Sequence, residues 1–386
     1  MGTLCLYFSA AVLSLAVLYK AAARLFGREK DGIDVVFTVL FFAALFVPMM
    51  KIDHADRSER ENRMLAKLPS FLTENGLNTK FGEGFDRWFS DRFFGRDLLL
   101  RFHAKSVERK ESGRAFAGKD GWLFYKAEGS VANFQNRKLF SEKERAKAVS
   151  FLSGFRDWCD KKNIRFLYLI APDKNKIYGE YFAYVKKING DDKSRANALM
   201  ADLREKGVPA LYFYDDLTAR KNETLLYYKN DTHWTPYGAF IAYEKTAEAL
   251  GIPAVRPLSY EIVKNESGDL TAMLPAAGKD PVSEYKMPVF PPPSAVCRKI
   301  KEPSEHTVCE NAKGRKKAVV FHDSFTEALK PMYNATFKKV TYFWRHEITA
   351  ADLDYIVKDG ADIVIFEQVE RYLEKLPRLA FPQGVM

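Results

Sequence analysis

Two hydrophobic patterns divide the chain. Near its start, residues 2–19 (GTLCLYFSAAVLSLAVLY) and 33–50 (IDVVFTVLFFAALFVPMM) are almost wholly apolar, interrupted only by Asp34. Each is about 18 residues, the lower end of what crosses a hydrocarbon layer, and together they predict a hairpin of two membrane spans. A cleavable signal peptide fits less well, because no basic segment precedes the first run and no small-residue cleavage site follows it. Lysine and arginine flank the second run on both sides, so the positive-inside rule does not orient the hairpin.

Further on, the pattern changes to short apolar runs separated by amphipathic stretches. IRFLYLIAPDK (164–174), VPALYFYDDL (208–217), KKAVVFHDSF (316–325), KKVTYFW (338–344) and ADIVIFEQVERYL (361–373) each read as a strand. The first is nearly continuous in apolar residues, as a strand covered on both faces would be. GKDGWLFY (118–125) reads as a tight turn feeding a strand. Before the first long run, Ser141 with Glu144 three positions on forms a capping box, and Val149, Leu152, Phe155 and Cys159 continue along one helical face. Strands alternating with helices predict an α/β domain with a mostly parallel sheet flanked by helices.

The expected organisation is a membrane anchor at 1–50, a charged helical connector at 51–115 packing on the catalytic domain, and that domain at 116–386. Within the connector, Phe85, Trp88, Phe89, Phe93, Leu98, Leu99 and Phe102 fall at near-helical spacing. Between about 252 and 312 periodicity fails and prolines gather, which predicts an irregular surface insertion.

A net charge of +10 and a pI near 9.1 favour anionic neighbours such as lipid headgroups or acidic polysaccharide. The positive residues are scattered, without zinc-finger spacing, an aromatic RNA-binding motif or an arginine-rich arm, so nucleic acid is not an expected partner. Cys5 and Cys159 sit in apolar contexts. Cys297 and Cys309 bracket a short polar segment that suits an extracytoplasmic disulfide, although spacing alone does not establish that they meet. No zinc-hydrolase motif and no set of four ligands is present, so neither a metal nor a cofactor is expected.

In open α/β sheets, reactive groups collect beyond the carboxyl ends of strands. At one such exit stands Ser324, within FHDSF, ahead of a helix-compatible run; helix capping by Asp323 and Ser324 is the ordinary alternative. A second stretch, YKNDTHWTPYG (228–238), places Asp231 two residues before His233, with Pro236 suited to open a helix. Asp231 can accept from one imidazole nitrogen and leave the other facing outward, as the base for a serine requires. A cap followed by a surface histidine is the plainer reading of that motif. Together the two exits could supply nucleophile, base and orienter. His54 and His103 lie in charged helical segments, His346 follows the penultimate strand, and His322 is too close in sequence to Ser324 to align as its base, so each is expected to be solvated or to pack. Arg345, Glu367 and Arg371 lie at the last two strand exits and could line a substrate site; Glu367 and Arg371 could equally be an i,i+4 pair on a helix.

These motifs, with ENRMLAKLPSF, FDRWFSDRFFGRD, GKDGWLFY and FEQVERYL, resemble the SGNH-hydrolase-like alginate O-acetyltransferases of the AlgJ and AlgX type, over about residues 60–375. The resemblance implies an SGNH-hydrolase-like fold, a Ser324–His233–Asp231 triad, and acetyl transfer to an extracytoplasmic polysaccharide beside a membrane-bound O-acyltransferase that supplies the acetyl group. It also implies that residues after 51 lie outside the cytoplasm, periplasmic or extracellular. His322 replaces the glycine usual in the Gly-Asp-Ser form, and the separate Gly and Asn blocks of an oxyanion hole are not recognisable. After the final strand, the carbohydrate-binding module that AlgX-type members append is not expected. The expected function is a membrane-anchored O-acetyltransferase working through an acetyl-serine. The alternatives are an acetylesterase using the same residues and a non-catalytic subunit of a polysaccharide export complex.

Overall fold

The computed structural model describes residues 55–58, 63–73, 76–92, 113–182, 185–274, 282–291, 294–301 and 305–382. The two apolar runs expected to span a membrane, Cys5, His54 and His103 lie outside the described residues. Among the described residues, no helix is long and apolar enough to cross a membrane. The chain divides into two compact units, residues 1–107 and 108–386. In the first, the helix Phe81–Arg92 carries Phe81, Phe85, Trp88 and Phe89, with the Phe85 ring centroid 5.5–6.1 Å from those of the other three. Arg92 anchors its end by donating to the Ala66 and Ala55 carbonyls.

The second unit is built on a seven-stranded sheet. In chain order the elements that frame the site, short helices and 3-10 turns aside, are β1 (Ala115–Ala117), β2 (Leu123–Tyr125), α1 (Glu142–Lys161), β3 (Arg165–Ala171), α2 (Arg195–Glu205), β4 (Ala210–Tyr212), α3 (Pro236–Ala249), β5 (Ser259–Asn265), α4 (Asp269–Met273), β6 (Ser283–Val289), β7 (Val296–Ile300), β8 (His306–Glu310), β9 (Arg315–Phe321), β10 (Phe337–Phe343), α5 (Ala350–Asp359) and β11 (Ile363–Val369). The sheet order is β7-β8-β10-β9-β11-β3-β4. From β10 to β4 all neighbours are parallel, as expected from the sequence; β8 joins β10 antiparallel, which makes the whole sheet mixed.

Both sheet faces are covered, which is why these strands read as continuous apolar runs. One face packs Leu167, Leu169, Val320 and Ile365 against α3. The other packs Phe166, Tyr168, Phe321 and Phe366 against α1, α2 and α5. Phe155 of α1 is fully buried, with its ring 5.0 Å from that of Phe166 and 6.0 Å from that of Phe321. The capping box predicted at Ser141 and Glu144 is formed, and a second, Thr349 with Asp352, starts α5.

The expected irregular insertion at 252–312 is corrected by the structure. It holds two antiparallel strand pairs, β5–β6 with α4 between them in the chain and β7–β8, and the second extends the main sheet. Cys297 and Cys309 are direct cross-strand partners in that second pair and are joined by a disulfide, while Cys159 is a buried free thiol. β8, with His306, Val308 and Cys309 buried, was hidden from sequence reading by its polar flanks and its short length.

Candidate active site

The loop 226–235 returns on itself. Tyr227 and Trp234 form a bridge, and Thr235 N donates to Leu226 O. Thr235 then caps α3 through Gly238 N, with Pro236 in the first turn as predicted. Gly238 is needed there, because a Cβ would lie 2.4 Å from Leu226 O. The loop is also held from below: Lys174 Nζ donates to the carbonyls of Tyr228, Lys229 and Asp231 at 2.9, 3.2 and 2.7 Å. Burial lowers the Lys174 pKa to about 7, against the opposing pull of Asp269 and Asp231. Three carbonyl acceptors call for three N–H donors, so the ammonium is the form that fits this cage.

From this loop Asp231 Oδ1 meets His233 Nδ1 at 2.6 Å and also accepts the His233 backbone N–H at 2.9 Å. On the far side of the ring, His233 Nε2 is 2.6 Å from Ser324 Oγ. The three residues singled out in the sequence therefore meet in one line, His233 and Ser324 across 91 residues of chain. Burial opposes charge on the imidazole, but the charge and hydrogen bond of Asp231, aided by Asp269, outweigh it and raise the His233 pKa above its ordinary value. Burial likewise opposes ionisation of Asp231, and its interactions with His233 outweigh this to bring it down to about 2.

Ser324 opens a 3-10 turn after the carboxyl end of β9, a central strand. Asp323 caps that turn: one carboxylate oxygen accepts from Phe325 N and the other from Val369 N. Asp323 is thus the N-cap expected of an Asp-Ser pair, and Ser324 remains turned to His233. Trp234 Nε1 donates to Phe325 O at 2.9 Å, tying the histidine loop to the serine turn. The Ser324 N–H is engaged by no hydrogen bond of the described residues, and so is available to an oxyanion.

The other three sequence candidates separate. Glu367 lies in β11, not on a helix, and is fully buried; its Oε2 accepts from Asp323 N and Thr326 Oγ1, so it braces the serine turn from beneath. The i,i+4 helical pairing of Glu367 with Arg371 is corrected: the strand continues to Val369, and Arg371 instead pairs with Asp173 at 2.7 Å. Arg371 stands next to the site, its guanidinium 5.7 Å from the Phe325 ring centre. Together with Thr232 and Lys174 it lines a cavity of about 10 Å³, the size of one water. Arg345 turns away to form an ion pair with Asp352. A larger cavity of about 250 Å³ is lined by Lys138, Lys143, Arg195 and Arg378 and holds none of the three aligned residues.

Sequence reading missed Asp269, Lys174 and Asp173. Lys174 and Asp173 follow the exit of β3, where the Asp-Lys pair after IAP was a usable signal. Asp269 lies within 252–312, where the sequence shows no periodicity. With Asp231 and His233 it offers donor atoms within 4.8 Å of one another, and each of the three is engaged in hydrogen bonds with its neighbours.

Residues 115–312, just over half of the chain, match a family model described as the SGNH hydrolase-like domain of acetyltransferase AlgX. The probable alginate O-acetylase AlgJ of Pseudomonas syringae pv. tomato is 27% identical over 232 residues, covering 55% of this chain and 54% of that protein. That of Azotobacter vinelandii is 25% identical over 241 residues, covering 58% and 56%. The chain thus spans about half the length of the curated relatives it matches. In fold it is similar to a DHHW family protein from Eubacterium siraeum, with a TM-score of 0.51 at 17% identity, covering 71% of this chain and 99% of that one. The chain belongs to the AlgX-type SGNH-hydrolase-like acetyltransferase family.

Proposed function

We propose that the chain is a membrane-anchored O-acetyltransferase, with its catalytic domain outside the cytoplasm, that moves an acetyl group through an acetyl-serine onto hydroxyls of an exopolysaccharide or cell-wall polymer. The observation that carries this reading is the alignment of Asp231, His233 and Ser324, with both contacts at 2.6 Å. Ser324 Oγ attacks the acetyl carbonyl and its proton passes to His233 Nε2. The tetrahedral intermediate, its oxyanion facing the Ser324 N–H, collapses; the bond to the donor oxygen breaks, and that oxygen takes the proton from the imidazolium. A sugar hydroxyl then attacks the acetyl-serine and gives its proton to His233, which returns it to Ser324 Oγ as the ester bond breaks.

Family membership and relatives named as probable alginate O-acetylases support transfer to a polysaccharide acceptor. The +10 charge suits an anionic one. The apolar runs at 2–19 and 33–50 support anchoring in membrane lipid, beside a membrane-bound O-acyltransferase that delivers the acetyl group. Incubating the protein with an activated acetyl ester and candidate oligosaccharides, then weighing the products, tests the transfer. Acetylated oligosaccharide is the expected product; free acetate alone with every acceptor would instead assign an acetylesterase.

A further inference from the structure

Beyond Asp231, the active-site loop is gripped by a segment that comes 34 to 40 residues later in the chain. Asn230 O accepts from Leu270 N and Thr271 N, and Asn230 Nδ2 donates to Asn265 O. Gly268 passes so close that a Cβ there would lie 2.3 Å from Asn230 O and 2.8 Å from Asp231 Cβ. Next to that glycine, Asp269 opens the short helix α4 and is almost fully buried.

The Asp269 carboxylate does not cap its own helix. Oδ1 accepts from Thr232 N at 2.8 Å and Oδ2 from Thr232 Oγ1 at 2.5 Å. Thr232 Oγ1 lies 3.3 Å from His233 Nδ1, and Asp269 Oδ2 lies 3.8 Å from the same nitrogen. The Asp269 backbone N–H donates to Asp231 Oδ2 at 3.0 Å, the oxygen that His233 does not use. One residue therefore holds both neighbours of the imidazole: Thr232 through its carboxylate and Asp231 through its amide.

We propose that Asp269 is a positioning residue for the acetyl-transfer step: through Thr232 and Asp231 it keeps His233 with Nδ1–H toward Asp231 and Nε2 toward Ser324. The inference rests on the triad reading above. Support of this kind is what fixes a catalytic ring within the narrow range of productive geometry. Asp269 also places a second negative charge beside the imidazolium formed when Ser324 attacks. The charged groups facing the ring are Asp231 on its own loop, Asp269 from α4 and Arg371 beyond β11, with Lys174 under the loop. Burial and the charge of Asp231 raise the Asp269 pKa to about 6, so above that pH it is ionised and holds the His233 pKa up. Removing this charge lets the imidazole stay neutral to lower pH.

The test compares Asp269→Asn, Thr232→Val and Thr232→Ser in the full chain, with Ser324→Ala as control, in hydrolysis of an activated acetyl ester across pH. Asp269→Asn is expected to lower kcat roughly 10–100-fold with little change in KM, a loss of the size seen when the carboxylate that orients a metal-ligating histidine is removed. It should also move the ascending limb of the kcat/KM profile to lower pH. Thr232→Val should lose rate similarly, and Thr232→Ser, which keeps the hydroxyl, should regain most of it. Wild-type kcat in Thr232→Val, or an unshifted limb in a folded Asp269→Asn protein, overturns the proposal. If Asp269→Asn does not fold, the two Thr232 variants decide. Wild-type turnover in Ser324→Ala overturns the triad and this inference together; loss there with full activity in Thr232→Val overturns the inference alone.

Discussion

Ser324→Ala is expected to reduce turnover of an activated acetyl ester by at least about a thousandfold while leaving the thermal unfolding midpoint close to that of the parent. The large effect follows from the geometry. Ser324 Oγ sits 2.6 Å from the one imidazole nitrogen that faces it. The neighbouring Thr326 Oγ1 is committed to Glu367. The small effect on stability has an equally local cause: the turn around Ser324 is held by Asp323, which binds Phe325 N and Val369 N, and by Trp234, which binds Phe325 O. Removing one half-buried hydroxyl leaves those bonds in place. Parallel kinetic and unfolding measurements on the purified variant check both parts, and a preserved rate would remove Ser324 from the chemistry.

Asp231→Asn is expected to cost about 10²- to 10⁴-fold in kcat/KM, the upper end being what an aspartate-to-asparagine change at this position of a triad produces. Both carboxylate oxygens of Asp231 accept from N–H donors, one from His233 and the other from Asp269 N. An asparagine has only one oxygen, so its amide must point N–H at N–H on one side or the other. If it faces the imidazole, the ring is driven to the tautomer that cannot take the serine proton. The pH profile supplies a second reading. The Asp231 carboxylate raises the His233 pKa, and the active form of the base is the neutral imidazole. In the parent, activity should therefore rise with pH through a value above that of an ordinary histidine, and in Asp231→Asn the ascending limb should move to lower pH. A limb that stays in place would mean that another group controls it.

How much of this was legible without coordinates depended on local signals. The central strands and the first long helix announced themselves because burial on both faces leaves an unbroken apolar run, and because Ser141 with Glu144 is a complete capping box. Ser324, His233 and Asp231 were legible because strand exits are few and the Asp-x-His spacing is short. Asp269 was not. Its contacts to Thr232 and Asp231 bridge 37 and 38 residues, and it stands on a five-residue helix with too few positions for any periodicity to register. Glu367 and Arg371 misled for the opposite reason. A four-residue spacing fits a helix, yet the β-branched residues Ile363, Val364 and Ile365 hold that stretch in a strand, and Glu367 is drawn under the serine turn. The β7–β8 hairpin was obscured by its proline-rich approach, although the paired cysteines marked its register.

The central claim is that acetyl passes through Ser324, and the most direct measurement is to look for it there. Full-length protein mixed briefly with an activated acetyl ester, without acceptor, can be quenched in acid, digested and mapped by mass spectrometry. The predicted result is one acetyl group on Ser324, absent in Ser324→Ala and discharged when a competent oligosaccharide is added before quenching. A protein that consumes the ester with Ser324 unmodified at every time point would contradict the account.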